Sequence, residues 1–390
     1  MLDLPIVRLT GKGLRWQRTG HPWIYRDDLA AAPPGLAGGE LVAVVSAPGQ
    51  FLGQAFYSAQ SRIALRFVTY GEEEIAAGFW EQRLKRALDY RRRVVHDSDA
   101  FRVIYGEADG FPGLVVDHYK GHLVIQVLHP GMERQTGVIL DLLTKYRAPA
   151  SMTMRNDAEV RALEGLPREV KTVFGELPEL VEVREGPVRL KVDIRGGQKT
   201  GLFLDQRENR RTAGHWAKGE VLDCFAYQGG FALSLAPGAA RVTLVESSEA
   251  ALGRARENAR LNGFDNLEFV RANVFHFLKG AVAEGRRFDL VVLDPPAFAR
   301  SRQDRPGALK GYKEINRRAF QLLNPGGVLI TCSCSYNLGE EEFLAIVRQA
   351  AAETHRQARL VERRGAAQDH PALLSLPESL YLKCLLLEVV

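Results

Sequence analysis

A chain of 390 residues, 46% hydrophobic and 25% charged, has ordinary soluble globular composition and is long enough for two or three domains. Its 52 Lys and Arg against 47 Asp and Glu leave a net charge of +5, which suits a polyanionic partner without demanding one. No apolar run reaches bilayer-spanning length, and the start, Met-Leu-Asp-Leu-Pro-Ile-Val-Arg, lacks the basic-then-apolar order of a signal peptide, so no membrane partner and a cytoplasmic location are expected.

Residues 1–72 read as small β structure. Leu41-Val-Ala-Val-Val45, Phe51-Leu-Gly-Gln-Ala-Phe-Tyr57 and Arg62-Ile-Ala-Leu-Arg-Phe-Val68 are short β-prone runs separated by Pro/Gly turns, a spacing that predicts a small barrel. Before them, Lys12 to Tyr25 interleaves basic residues, Arg15 among them, with Trp16, Trp23 and Tyr25. Basic and aromatic groups together suit a phosphate backbone and unstacked bases, and the same aromatics serve equally well as barrel core. The stretch resembles a PUA domain, a small barrel carried by RNA-modifying enzymes. Gly20-His-Pro-Trp-Ile-Tyr25 and Gly39-Glu-Leu-Val-Ala-Val44 carry the resemblance, which implies substrate contacts at Trp23 and Arg15.

Residues 73–187 read as a central α+β domain. A charged helix is expected from Glu72-Glu-Glu-Ile through His96, acids first, as the helix dipole prefers, with Arg83 to Arg93 on a solvated face. Strands follow at Phe101–Tyr105, Leu114–Tyr119 and His122–Leu128, then a helix over 133–146 and a strand at Ser151–Arg155. Between the first two strands, Glu107 and Asp109 stand in Gly106-Glu-Ala-Asp-Gly-Phe-Pro-Gly113; a capped turn explains them better than a catalytic pair.

From residue 188 to 390 strands and helices alternate, which predicts an α/β doubly wound, mostly parallel sheet. The segment opens with Val188-Arg-Leu-Lys-Val-Asp193. Glu220-Val-Leu-Asp-Cys-Phe225 then runs into the Gly-rich turn Ala226-Tyr-Gln-Gly-Gly230, where backbone can approach a ligand and helix N–H groups can meet an anion. The GxGxxG dinucleotide pattern is absent, which disfavours a nicotinamide cofactor. Arg241-Val-Thr-Leu-Val-Glu246 ends in a carboxylate placed for ribose hydroxyls. The next strand ends in Asn273, able to read an adenine edge or simply to form a turn. Phe288-Asp-Leu-Val-Val-Leu-Asp-Pro-Pro-Ala-Phe298 ends a buried strand with Asp294 on a stiff turn beside Phe298, a wall for a planar polar group. A helix ends at Asn324-Pro-Gly-Gly, a fifth strand runs Val328-Leu-Ile-Thr-Cys-Ser-Cys-Ser335, and two late runs, Arg359–Arg364 and Tyr381–Val390, suggest an antiparallel pair.

This half resembles a class I S-adenosylmethionine-dependent methyltransferase. Gln198-Lys-Thr-Gly-x-Phe-x-Asp-Gln-Arg207, Phe225-Ala-Tyr-x-Gly-Gly-Phe231, Leu293-Asp-Pro-Pro-Ala-Phe298 and Ser333-Cys-Ser335 narrow the resemblance to bacterial large-subunit ribosomal RNA cytosine-5 methyltransferases with an N-terminal PUA domain. The resemblance implies S-adenosylmethionine as cofactor and ribosomal RNA as substrate, and leaves a homodimer open. It places Asp223, Phe225 and Gly229 along the methionine part, Glu246 and Ser247 at the ribose, Asn273 at the adenine and Asp294 between cofactor and base. Gln198, Lys199 and Arg207 close the cofactor site, and Phe298 touches the target base.

Four cysteines, Cys224, Cys332, Cys334 and Cys384, do not form a disulfide framework, and the one-residue gap between Cys332 and Cys334 does not suit zinc, so no metal is expected. Cytosine C5 becomes nucleophilic enough for methylation after a thiolate adds at C6. Cys334 holds the family's nucleophile position, with Asp294 on the cytosine N3/N4 edge. No second Cys adjoins Asp294, so the base that removes the C5 proton has no candidate beyond water, Asp294 or Lys313. The rivals are methylation of an exocyclic amine, which needs no Cys, and a non-catalytic RNA-binding protein.

Overall fold

The computed structural model describes residues 4–299, 301 and 303–390; the first three residues of the segment read above for a leader lie outside them. The chain divides into two compact units. The first comprises 1–183, 192–204 and 368–379, the second 184–191, 205–367 and 380–390. Among the described residues no helix is long and apolar enough to cross a membrane.

The first unit carries two sheets. One is six-stranded, in the spatial order Trp23–Tyr25, Ile63–Thr69, Phe51–Tyr57, Leu41–Val45, Ile6–Leu9, Leu29–Ala31. Alternate residues Val7, Leu9, Ile24, Val42, Val44 and Leu65 fill its core, as a half-buried β pattern requires. The basic–aromatic stretch is not an extended loop: Gly11–Gln17 is helical, with Thr10 Oγ1 accepting from Gly13 N at 3.0 Å. The other sheet orders Glu169–Gly175, Ser151–Asn156, His122–Val127, Leu114–Tyr119 and Ala100–Tyr105, with helices Ala77–Val94 and Thr136–Arg147 packed with it around Trp80, Leu84, Ile139 and Leu143. The long helix starts at Ala77, five residues after Glu72. Gln54 Nε2 donates to the carbonyls of Gly71 (3.1 Å) and Glu73 (2.8 Å), and Thr69 Oγ1 donates to Glu73 (2.6 Å), which holds 71–74 out of the helix. Nor is its Arg run wholly solvated, because Arg91 is buried.

In the second unit we number strands β1 (Glu220–Cys224), β2 (Arg241–Glu246), β3 (Leu267–Arg271), β4 (Phe288–Leu293), β5 (Leu323–Ser333), β6 (Ala358–Arg364) and β7 (Lys383–Val389). The helices are α1 (Arg207–Trp216), α2 (Gly230–Leu235), α3 (Glu249–Asn262), α4 (Val274–Ala283), α5 (Arg305–Leu322) and α6 (Glu340–Glu353). The sheet order is 3-2-1-4-5-7-6, parallel through β5, with β7 antiparallel to both β5 and β6. Both faces are covered by apolar clusters, which is why Leu290–Leu293 of β4 and Val328–Ile330 of β5 are continuous Val/Leu/Ile runs. The segment Val188–Val192 does not open this sheet; it pairs with Val181–Glu185 as a separate two-stranded ribbon. The helix before Asn324-Pro-Gly-Gly ends at Leu322, as expected, but the segment itself lies inside β5, where a register shift accommodates it. The order reverses between β1 and β4, and at such a switch point the strands' carboxyl ends open a ligand crevice.

Candidate active site

At the carboxyl end of β1 the chain makes a turn with unusual backbone. Phe225 (φ 62°), Tyr227 (φ 48°) and Gly229 (φ 82°) all lie in the left-handed region, and the two aromatic residues hold it at a cost of order 1–3 kcal/mol each. Gly229 is needed for space as well: a Cβ there would meet Ala255 Cβ at 3.2 Å and Leu244 Cδ2 at 3.3 Å. Asp223, fully buried at the end of β1, accepts from Ala232 N at 3.0 Å. That N–H of α2, a helix of only one and a half turns, therefore serves the chain's own carboxylate rather than an incoming anion. Burial pushes the Asp223 carboxyl well above the usual range, and the charges of Asp294 and Glu246 push it the same way.

β2 delivers Glu246 with both carboxylate oxygens oriented by backbone. Oε2 accepts from Tyr227 N (3.1 Å), and Oε1 accepts from Ser247 N (2.7 Å), Ser248 N (2.9 Å) and Ser247 Oγ (3.0 Å). Asn273 caps α4, its Oδ1 accepting from Phe275 N (3.0 Å) and His276 N (3.3 Å). With the oxygen engaged in the cap, the amide nitrogen is the hydrogen-bonding group it offers a ligand. Phe225, Phe275 and Phe298 form an aromatic cluster with ring centroids 5.9–6.5 Å apart, and Phe298 also lies 4.7 Å from Tyr312.

On the β4 side, half-buried Asp294 accepts from Gln206 Nε2 at 2.9 Å, and Gln206 in turn accepts from Asn209 Nδ2 at 2.6 Å. Cys334 follows the last residue of β5 directly, with its Sγ 3.9 Å from the carbonyl of Pro295. The nucleophile candidate and the Asp-Pro-Pro turn therefore share one corner. The flanking serines are buried and fix the loop. The Tyr312 hydroxyl lies 3.0 Å from both Ser333 Oγ and Ser335 Oγ, and Ala299 N donates to Ser335 Oγ at 3.2 Å. Cys224, Cys332 and Cys384 are fully buried, while Cys334 is partly accessible. Burial raises the Cys224 thiol, and its contact with Cys384 together with burial raises Cys332; both stay protonated and inert.

The structure thus brings Asp223, Phe225, Gly229, Glu246, Ser247, Asn273, Asp294, Phe298 and Cys334 to one edge of the second unit's sheet. Arg207 opens α1, buried, with Nη2 3.4 Å from Glu208. Gln198, Lys199, Trp23 and Arg15 belong to the first unit. There, Lys199 Nζ lies 4.5 Å over the Phe203 ring. Trp23 Nε1 donates to Glu107 Oε1 at 2.7 Å, Arg66 covers its ring at 4.8 Å, and Arg15 is exposed. Glu107 and Asp109 are consumed structurally, by Arg66 and Arg91 respectively.

Sequence reasoning missed Gln206, Phe275, Tyr312 and Lys383. Lys383 had a visible signal, a lone cation in the apolar run Leu382-Lys-Cys-Leu-Leu-Leu. Its buried ammonium donates to Ser335 O and Tyr381 O, both at 2.7 Å, and burial lowers it to about 8.

Residues 113–386 match the family model of S-adenosylmethionine-dependent methyltransferases, and 7–70 match a PUA-like domain. This chain belongs to the S-adenosylmethionine-dependent methyltransferase family. The methyltransferase is 40% identical over 371 residues to the ribosomal RNA large subunit methyltransferase I of Klebsiella pneumoniae strain 342, with 93% of each chain covered. It is 41% identical over 372 residues to the protein of that name from Aeromonas hydrophila, covering 93% of this chain and 94% of that one. At the level of fold it is similar to the crystal structure of SMU.776 in complex with S-adenosylhomocysteine (TM-score 0.85, 20% identity, 99% of each chain). The methyltransferase uses S-adenosylmethionine, and the site suits it. Glu246 presents a backbone-fixed carboxylate for a diol, and Phe275, whose N–H donates to Asn273, belongs to a cluster of three phenylalanines.

Proposed function

We propose that this methyltransferase modifies C5 of a cytosine in large-subunit ribosomal RNA through a covalent adduct on Cys334. The observation that carries the reading is the partly accessible Cys334 Sγ, 3.9 Å from Pro295 O in the Asp294-Pro-Pro turn, with every other cysteine buried. The relatives' printed name supports ribosomal RNA as substrate, and the PUA-like domain supports RNA binding. In this reading the chain has three functional parts, 1–72, 73–187 and 188–390, acts in the cytoplasm and assembles as a homodimer.

S-adenosylmethionine supplies an electrophilic methyl group. Glu246 holds its ribose, Asn273 donates to the adenine, and the aromatic cluster excludes water. Asp223, Phe225 and Gly229 line the methionine part, where a ligand ammonium would give Asp223 the counter-charge it lacks. The target cytosine leaves its stack to enter, against Phe298. The Cys334 thiolate bonds to C6 and the C5–C6 π pair moves to C5, with Asp294 on the N3/N4 edge. C5 would then take the methyl group as the S–CH3 bond of the sulfonium breaks, with S-adenosylhomocysteine as the leaving group. Loss of the C5 proton and expulsion of Sγ then restore the ring double bond and the thiolate.

Cys334→Ala is expected to abolish methyl transfer while calorimetry still detects S-adenosylmethionine binding. Near-normal turnover in that variant would remove the covalent mechanism and leave methylation of an exocyclic amine at the Asp294 turn. A wild type that binds no S-adenosylmethionine would favour a scaffold. Mass mapping of ribosomal RNA from a deletion strain identifies the base.

A further inference from the structure

The buried Lys383 is not used by the mechanism above, and its surroundings are unusual. An ammonium has three N–H groups. Ser335 O and Tyr381 O take two of them at 2.7 Å each, and among the described residues no carboxylate pairs with it. A buried cation held only by carbonyls is expensive unless an anion is available to it.

Cys334 is placed to be that anion. Lys383 is the register partner of Ser333 across the antiparallel β5–β7 pair and reaches over the strand end to the carbonyl of Ser335, so its ammonium brackets the residue between them. Interaction with Cys334 favours the charged form of Lys383, followed by a smaller contribution from Glu340 on α6. Coulombic coupling is mutual, so the ammonium favours the thiolate equally. The other titratable groups bearing on this corner are Asp294 after β4, Tyr312 on α5, Glu340 on α6, and the buried thiols Cys332 and Cys384. All are acids, and each that ionises opposes a thiolate.

We propose that Lys383 is a positioning residue for the nucleophile: its ammonium, fixed by Ser335 O and Tyr381 O, holds Cys334 as the thiolate that attacks. The S–H bond breaks, the proton passes to solvent, and the electron pair remains on Sγ. The purpose of the thiolate rests on the cytosine-C5 reading, but the thiolate itself is measured without RNA.

The experiment is the rate of iodoacetamide alkylation at Cys334 in the full chain from pH 5.5 to 10, read by peptide mass mapping, with Cys334→Ala as blank. The buried Cys224, Cys332 and Cys384 serve as internal controls for folding. The wild-type midpoint is expected below the ordinary cysteine value of about 8.5. Lys383→Gln keeps donors for both carbonyls without the charge. It is expected to raise the midpoint by about one unit, slowing alkylation at pH 7 about ten-fold, whereas Lys383→Arg stays within about three-fold of wild type. A wild-type midpoint at or above about 8.5, or an unchanged profile in folded Lys383→Gln, would overturn the proposal. If Lys383→Gln does not fold, the wild-type midpoint decides. A low midpoint in an enzyme whose product carries no C5 methyl would retain the role of Lys383 and remove the cytosine-C5 reading.

Discussion

The two units bury charge by the same rule except at the second unit's sheet edge. In the first, buried guanidinium groups meet carboxylates: Arg102 grips Asp117 with two bonds of 2.8 and 2.9 Å, Arg66 meets Glu107, Arg91 meets Asp109, and Arg161 meets Glu133. In the second, Glu185–Arg210 follows the same rule, but at the sheet edge it is broken. Among the described residues, Asp223 has a helix N–H and no ion-pair partner, and Lys383 has carbonyls and no ion-paired carboxylate. A pair that neutralises itself is complete within the fold. A buried charge without its counterpart remains available to a ligand or reaction partner, and such groups cluster at functional sites. The first unit's buried charges are therefore complete within the fold, and the second unit's exceptions lie at the sheet edge where the active site is proposed.

Several substitutions break this contrast, with effects that fall in size. Arg102→Ala leaves the buried Asp117 carboxylate without its guanidinium and held by the Thr200 hydroxyl at 2.7 Å, and should cost about 3–5 kcal/mol in denaturant unfolding while turnover of the surviving folded enzyme is unchanged. A large loss of kcat with little loss of stability would mean that the first unit's pairs serve chemistry too. Glu246→Gln keeps the side-chain shape but replaces one acceptor oxygen with a donor amide. It should weaken S-adenosylmethionine binding about ten-fold by calorimetry, because charge-assisted bonds are lost at the ligand, and it should lower stability as well, because the new amide must face a backbone N–H that a carboxylate oxygen accepted. The smallest effect sharpens the shared rule. His118 is held near 4, mainly by burial and then by Arg147, and its Nε2 accepts from Gly121 N at 2.9 Å, which requires the neutral ring. A folded-state value below the unfolded one means that stability is fully present above about 6.5 and falls as pH drops toward about 4. The deficit is about 1 kcal/mol at pH 5.5, and His118→Gln should flatten that part of the profile, read by thermal unfolding across pH 4–7.

What the sequence revealed of the site follows the same division. Residues that act from strand ends were legible, because a buried apolar run that ends in Asp223, Glu246 or Asp294 announces its own boundary. So were the serines around Cys334, although their job, holding the Tyr312 hydroxyl, needed the structure. The PUA-like strands and the parallel sheet were readable from turn spacing and alternation. The missed parts depend on distant pairing. Gln206 matters because it reaches Asp294, 88 residues away. Lys383 matters because β7 inserts antiparallel between β5 and β6, which brings a residue near the end of the chain beside Ser333. The displaced helix start at Ala77 has the same origin, since Gln54 takes the carbonyls of Gly71 and Glu73 that local propensity would have put into the helix.

The central claim, covalent attack by Cys334, is tested most directly by trapping. Ribosomal RNA transcribed with 5-fluorocytidine presents a target whose C5 fluorine cannot leave as a proton, so the methylated adduct cannot eliminate the enzyme. A protein–RNA adduct stable to denaturing electrophoresis is expected, dependent on S-adenosylmethionine, mapping to Cys334 and absent in Cys334→Ala. Methyl transfer to unsubstituted RNA with no adduct on the fluorinated RNA, or an adduct that persists in Cys334→Ala, would contradict it.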